Sequence, residues 1–366
     1  MALMLLACAP ALAGDEFLAG GDISALAKIE EHGGVFHDRG ASGDAIEIMS
    51  RRGCNTFRLR LFVDPTGDDV VVNDLPYTIA LAGRVKSAGA KLLLDFHYSD
   101  TWADPSRQTK PAAWASLSFD SLEQTVRNYT RDAIAAMTVA GVEPDLVQVG
   151  NEIDNGILWP DGKLYGVGDP QVQWDNFARL LKAGIAGVRD AGSSARIVMH
   201  THEGGNWSRA QWFINELISH GVEFDVIGLS FYPWWHGKLA DFENTVRNAA
   251  LAFGKDVLLV ETTYPWRPFI DPIPANIVGN LEHPTTPQGQ RAFLSEVLRI
   301  VRGAPNGRGL GILWWYPESI PVEGLFVWHG GAMAMFDSDG NALPAFFEFR
   351  KERRTDKRPH QTPTDR

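Results

Sequence analysis

A closed barrel of eight parallel β-strands alternating with helices is the fold the sequence predicts. Eight short runs rich in β-branched, aromatic and aliphatic residues recur along the chain, with helical stretches between them. Polar and acidic residues gather at the C-terminal ends of these runs, the face on which such barrels assemble their sites. No Gly-rich phosphate loop follows any run, which argues against an open doubly wound sheet. The 366 residues and an apolar share of 45% suffice for one large core. A β/α barrel needs roughly 250 residues and tolerates long loops.

The strand runs are FLAGGDIS (17–24), TFRLRLF (56–62), KLLLDFHY (91–98), LVQVGNE (146–152), RIVMHTH (196–202), VIGLSFY (226–232), VLLVETTY (257–264) and GILWWYP (311–317). DAIEIMSRRG precedes the second. TIALAGRVKSAGA precedes the third, with apolar residues at helical spacing. A long helix around 121–140 precedes the fourth. FARLLKAGIAGVRDAG and WFINELISHG precede the fifth and sixth, and several of these segments end in Gly, a common helix stop. The stretch 267–287 is a Pro-rich loop after the seventh strand. The predicted organisation is an export signal over 1–14, a barrel domain over 15–349 and a charged disordered tail over 350–366.

The apolar start, with Ala11, Leu12 and Ala13 as an Ala-x-Ala site, reads as a secretory signal with a short n-region. Lipid anchoring through Cys8 is the lesser reading. Cleavage would leave only Cys54, so no intramolecular disulfide is expected. No stretch is long and apolar enough to span a membrane. Acidic residues exceed basic ones, 45 to 34, for a net charge of -11, which argues against a nucleic-acid binder. Twelve Trp are many for this length, and a flat apolar ring suits a sugar face as well as a core.

Two carboxylates suffice for glycosidic chemistry, one to protonate the leaving oxygen and one to attack the anomeric carbon or activate water. Glu152 and Glu261 end the fourth and seventh strands, across the ring from each other. Asn151 is placed to bond a sugar 2-hydroxyl. Arg58 and Arg60 share one face of the second strand, and a buried Arg requires partners. Arg58 is placed to keep a nucleophilic carboxylate ionised. Arg60 reads equally as the partner of a structural acid. His200, His202 and Glu203 form a partial metal-ligand set without convincing further ligands, so strand-end histidines satisfied by hydrogen bonds are expected instead.

Longer segments resemble glycoside hydrolase family 53, the endo-β-1,4-galactanases. They are GGDIS (20–24), LLLDFHYSDTWADP (92–105) with QTKPAAW (108–114), VQVGNEIDNGILWPDG (147–162), SFYPWWHG (230–237) and LLVETTYPW (258–266). The resemblance implies a barrel with Glu152 as acid/base and Glu261 as nucleophile. It places Asp22, Arg58, His97, Asn151 and Tyr232 around the cleavage site, and Trp102, Trp234 and Trp315 as stacking platforms for galactose units. It leaves Asp95 as a structural anchor, and Asp100 as either anchor or ligand. The implied partner is galactan or type I arabinogalactan of pectin, the implied state a monomer, with no cofactor. The sequence departs from the family pattern at the eighth strand, where Tyr316 stands in place of a Glu and the second Trp of that segment is absent. That leaves a related β-glycan such as mannan as the alternative substrate. The loop after the seventh strand has a single Asp in RPFIDPIPANIVGN, too few carboxylates for a strong calcium site.

Overall fold

A computed structural model describes residues 16–268 and 281–350. The predicted export signal, most of the predicted tail and most of the segment expected to lack a calcium site lie outside these residues. Eight parallel strands close into a ring: β1 (Leu18–Asp22), β2 (Thr56–Leu61), β3 (Lys91–Phe96), β4 (Leu146–Val149), β5 (Arg196–Thr201), β6 (Val226–Phe231), β7 (Asp256–Thr262) and β8 (Gly309–Trp315). Each pairs with its sequence neighbours, and β8 pairs with β1. The predicted strands are all present, shorter than the sequence runs by one to three residues at their C-terminal ends, where the catalytic-face loops begin.

A helix lies between each pair of successive strands: α1 (Ala45–Arg51), α2 (Leu75–Ser87), α3 (Phe119–Val139), α4 (Pro170–Asp190), α5 (Trp207–Ser219), α6 (Leu239–Phe253) and α7 (Pro287–Arg302). Their starts follow local chemistry. Asp169 caps α4 before Pro170, and Thr286 caps α7 before Pro287. Gly187 lets α4 lie close on α3, since a Cβ there would sit 2.4 Å from the Arg127 carbonyl oxygen. Two small hairpins, Phe36–Asp38 with Ala41–Gly43 and Gly156–Ile157 with Gly162–Lys163, escaped the sequence reading because each strand is too short to show a period.

The barrel interior changes character along its axis. Its floor is an apolar cluster that includes Leu18, Leu93, Leu146, Val198, Val226, Leu258, Val260 and Leu313. Two residues further along the same inward faces, the side chains turn polar: Asp95 after Leu93, Gln148 after Leu146, His200 after Val198. Strand β7 breaks this alternation. Leu258 and Val260 both face inward, so strict alternation would turn Glu261 away from the axis. The β6–β7 register shifts between Leu229 and Ser230, and Ser230 pairs with Glu261 where Val260 would stand. That bulge re-aims Glu261 into the site, a use bulges commonly serve beside active sites.

Candidate active site

Glu152 follows β4 after a sharp turn. Gly150 has φ 92° and Glu152 itself φ 43°, a left-handed conformation that costs a non-glycine residue free energy and persists only where the surroundings impose it. Ser230 Oγ, on β6, donates to Glu152 Oε1 at 2.6 Å. Glu261 is held differently. Arg58 Nη1 forms an ion pair with Glu261 Oε1 at 2.8 Å, and Tyr232 OH donates to Glu261 Oε2 at 2.8 Å. Both carboxyls line one open cleft of ≈ 530 Å³ with Trp102, Asn151, His202, Trp235, Trp315 and Trp328.

Arg58 organises the layer beneath the cleft. It pairs with Asp22 at 3.0 Å and Asp95 at 2.8 Å, and donates to Asn151 Oδ1 at 2.7 Å. A buried guanidinium with three carboxylate neighbours stays charged despite its desolvation. Burial opposes ionisation of Asp95, but Arg58 and His97 hold it below the usual carboxylate range. His97 Nε2 lies 3.0 Å from Asp95, and its Nδ1 accepts from the Ala103 amide, so the ring joins the strand-three loop to this layer. Asp22, Arg58 and His97 therefore support the cleft from below and do not line it. Asp95 is an anchor, as expected. Asp100 is one too, accepting the backbone N–H groups of Asp64 and Ala112.

Arg60 resolves toward structure. It pairs with Asp22 at 3.1 Å, donates to Tyr316 OH at 3.2 Å, and its guanidinium sits 4.5 Å from the Trp102 ring centroid. Tyr316 thus fills the departure from the family pattern by capping a buried arginine. It also borders a second cavity of ≈ 430 Å³ with Asp68, Asp69 and Phe326, which shares Trp102, Trp315 and Trp328 with the main cleft. Glu318, two residues on, is fully buried. Burial and nearby Asp22 push its carboxyl up to about 8, and its Oε1 accepts the Ala25 amide.

One stacking assignment requires correction. Trp234 is 2% exposed and packs against Tyr232, Trp328 and Met333, so it offers no free face to a sugar. Its neighbour Trp235 is 57% exposed, lines the cleft, and lies 6.0 Å from Trp328 with the rings 30° apart. The short helix Pro233–His236 rotates the two Trp to opposite sides, a turn that a strand-end reading does not register. Trp102 and Trp315 line the cleft.

The strand-five histidines are satisfied by protein groups. His200 is bonded to Ser230 and Gln148. His202 Nδ1 lies 2.8 Å from Asp154 Oδ2. Burial disfavours its charge, but Asp154 outweighs that and raises His202 to about 9. Among the described residues no group of three or more His, Cys, Asp or Glu is arranged to hold a metal ion. Asp154, Ser230, Trp235 and Trp328 were missed by the sequence reading. Ser230 was within reach, since it lies two residues before Tyr232 and hence on the same inward face.

Burial pushes both cleft carboxyls above the usual range; Arg58 and the Tyr232 hydroxyl oppose that push at Glu261, and the Ser230 hydroxyl opposes it at Glu152. Near neutrality the pair therefore keeps one proton. Its location follows from the partners. Glu261 faces a guanidinium and a phenol donor, whereas Glu152 receives one hydroxyl, so the proton rests on Glu152 and Glu261 carries the charge.

A parallel barrel with one protonated and one ionised carboxyl in an aromatic cleft defines a glycoside hydrolase of the two-carboxylate type. The sequence profile of glycosyl hydrolase family 53 matches residues 18–349, and the chain belongs to that family. It is 34% identical over 340 residues to an arabinogalactan endo-β-1,4-galactanase of Thermothelomyces thermophilus, covering 88% of this chain and 96% of that one. The family 53 catalytic domain of Ignisphaera aggregans superposes with a TM-score of 0.85 at 36% identity, covering 93% of this chain and 97% of the other. A fungal β-1,4-galactanase superposes at 0.79 and 32% identity, covering 92% and 99%.

Proposed function

We propose that this chain is a retaining endo-β-1,4-galactanase acting on galactan or type I arabinogalactan. The single observation that carries the mechanism is the unequal grip on the two carboxyls. Glu261, ionised beside Arg58 and aligned by Tyr232, attacks the anomeric carbon. Glu152 protonates the departing glycosidic oxygen, then takes a proton from the water that releases the glycosyl-enzyme. Asn151 lines the cleft between them, with its amide oxygen held by Arg58 and its nitrogen donating to the Ala103 carbonyl. Trp102, Trp235, Trp315 and Trp328 supply apolar faces for sugar rings. The names of its relatives support galactan as the substrate.

Product release from linear β-1,4-galactan, mannan, xylan and glucan tests the substrate, with NMR of the first-formed anomer testing the stereochemistry. Galactan cleavage with a β-configured first product is expected. Activity confined to another glycan, or an α-configured first product, overturns the reading. One observation favours the mannan alternative: Tyr316 replaces a Glu beside the cleft, and the same panel decides it. A pectic polymer is met outside the cytoplasm, and the apolar start with its Ala-x-Ala site supports export. A mature N-terminus beginning near Gly14 in the medium or periplasm is the expected result.

A further inference from the structure

Ser230 and His200 form a chain behind Glu152, away from the open cleft. Ser230 Oγ lies 2.6 Å from Glu152 Oε1, and His200 Nε2 lies 2.8 Å from Ser230 Oγ. All three side chains come from adjacent strands, β4, β5 and β6. The direction of these bonds follows from what surrounds the other ring nitrogen. Two N–H groups reach His200 Nδ1, the Glu152 amide at 3.3 Å and Gln148 Nε2 at 3.1 Å. The Gln148 nitrogen is identified as a donor by its 2.6 Å bond to Asp95 Oδ1. Asn151 Oδ1 also lies 3.0 Å from Nδ1, but the Glu152 backbone N–H points at Nδ1 and leaves no room for a proton there, and that oxygen accepts from Arg58 Nη2 at 2.7 Å and lies 3.2 Å from Gln148 Nε2. Nδ1 is thus an acceptor, and a neutral ring then carries its proton on Nε2. Burial, reinforced by Arg58, keeps the ring neutral. His200 therefore donates to Ser230, and Ser230 directs its only proton at Glu152 Oε1.

We propose that His200 and Ser230 are positioning residues that confine the acid proton of Glu152 to Oε2. Oε1 is an acceptor in both states of the carboxyl. Among the described residues no hydrogen bond reaches Oε2. When the proton passes from Oε2 to the glycosidic oxygen, the carboxylate keeps the Ser230 bond, which favours the ionised form. When water is deprotonated in the second half-reaction, the proton returns to the same oxygen. A carboxyl free to hold its proton on either oxygen would present the wrong one to the substrate part of the time.

This inference rests on the reading of Glu152 as acid/base, and the test separates the two. The groups that set the Glu152 titration besides Ser230 are His202 at the end of β5, Asp154 on its own segment, Asp104 after β3, Tyr232 after β6 and Glu261 on β7. Ser230→Ala leaves all of them in place. The experiment is kcat/KM against pH for wild type, Ser230→Ala, Ser230→Thr and Glu152→Gln. Each is measured on a galacto-oligosaccharide and on an aryl β-galactoside whose leaving group needs no proton. Loss of a donor to the ionised form raises the acid's pKa. Ser230→Ala is therefore expected to move the alkaline limb up by about one pH unit. It should lower oligosaccharide turnover by roughly tenfold or more and leave the aryl substrate much less affected. Ser230→Thr, which keeps the hydroxyl, should return the limb to its wild-type position. An unmoved limb in Ser230→Ala, with turnover lost equally on both substrates, overturns the proposal and leaves Glu152 as the acid. A wild-type alkaline limb in Glu152→Gln would instead remove Glu152 from that role.

Discussion

Glu152 and Glu261 share one rim of one barrel, and the protein holds them by opposite means. The Glu261 side, built from β1, β2, β3 and β7 with Tyr232 from the end of β6, is ionic: Arg58 is shared among Asp22, Asp95 and Glu261, and Tyr232 adds a phenol donor. The Glu152 side, built from β4, β5 and β6, is neutral in direct contact: a hydroxyl backed by an uncharged imidazole. A fixed cation holds one carboxyl ionised until it attacks the anomeric carbon, and again once the glycosyl-enzyme is hydrolysed. A neutral chain lets the other gain and lose a proton without a large electrostatic penalty. Two identical side chains acquire different work from their neighbours alone.

Removing each carboxyl tests this contrast most strongly. Glu261→Gln is expected to lower kcat by about four orders of magnitude or more on every substrate. Glu152→Gln should lower galactan turnover by about 10²–10⁴-fold, yet spare the first half-reaction of an aryl galactoside with a good leaving group. Equal losses on both substrates would erase the distinction between the two sides. Stopped-flow release of the aryl group provides the readout.

Arg58→Met attacks the ionic side itself. It leaves three carboxyls without their shared cation, for an expected stability loss of about 3–5 kcal/mol by denaturant unfolding. Because loss of a nearby positive charge favours the protonated acid, the acid limb of kcat/KM should also move to higher pH. A variant as stable as wild type with an unmoved limb would show that Arg58 is not the shared counter-charge.

The adjacent tryptophans separate cleft from core by a single position of sequence. Trp234→Ala should cost about 3–5 kcal/mol of stability. Trp235→Ala should raise KM for galactan roughly tenfold, with little change in stability. Reversal of these effects would mean that Trp234 turns to the substrate.

The smallest effect concerns His202, at the edge of the neutral side. Its pKa of about 9 in the fold lies above its ordinary 6.5. The charge it shares with Asp154 therefore stabilises the fold fully below pH 6.5, and that contribution fades as pH rises through about 9. Wild type should melt about 2 °C or more above His202→Asn at pH 6, and the two should converge by pH 10. A constant difference across that range would assign His202 a packing role only.

Much of this was legible in the amino-acid order. Alternating strand and helix patterns determined a barrel, because each period of 2 or 3.6 residues sets which side chains are buried together. Motif-length segments placed Glu152 and Glu261 at the ends of β4 and β7, along with the cluster of polar residues on that face. What only the tertiary structure decided is how these groups share one another. The bulge at Val260 and Glu261 turns the second carboxyl inward, against the alternation its sequence implies. Arg58 meets Asp22, Asp95 and Glu261, drawn from three other strands, and Ser230 meets Glu152 across 78 residues. Ionisation depends on distance and burial in three dimensions, so two glutamates that read alike along the chain become an acid and a nucleophile only once the ring closes around them.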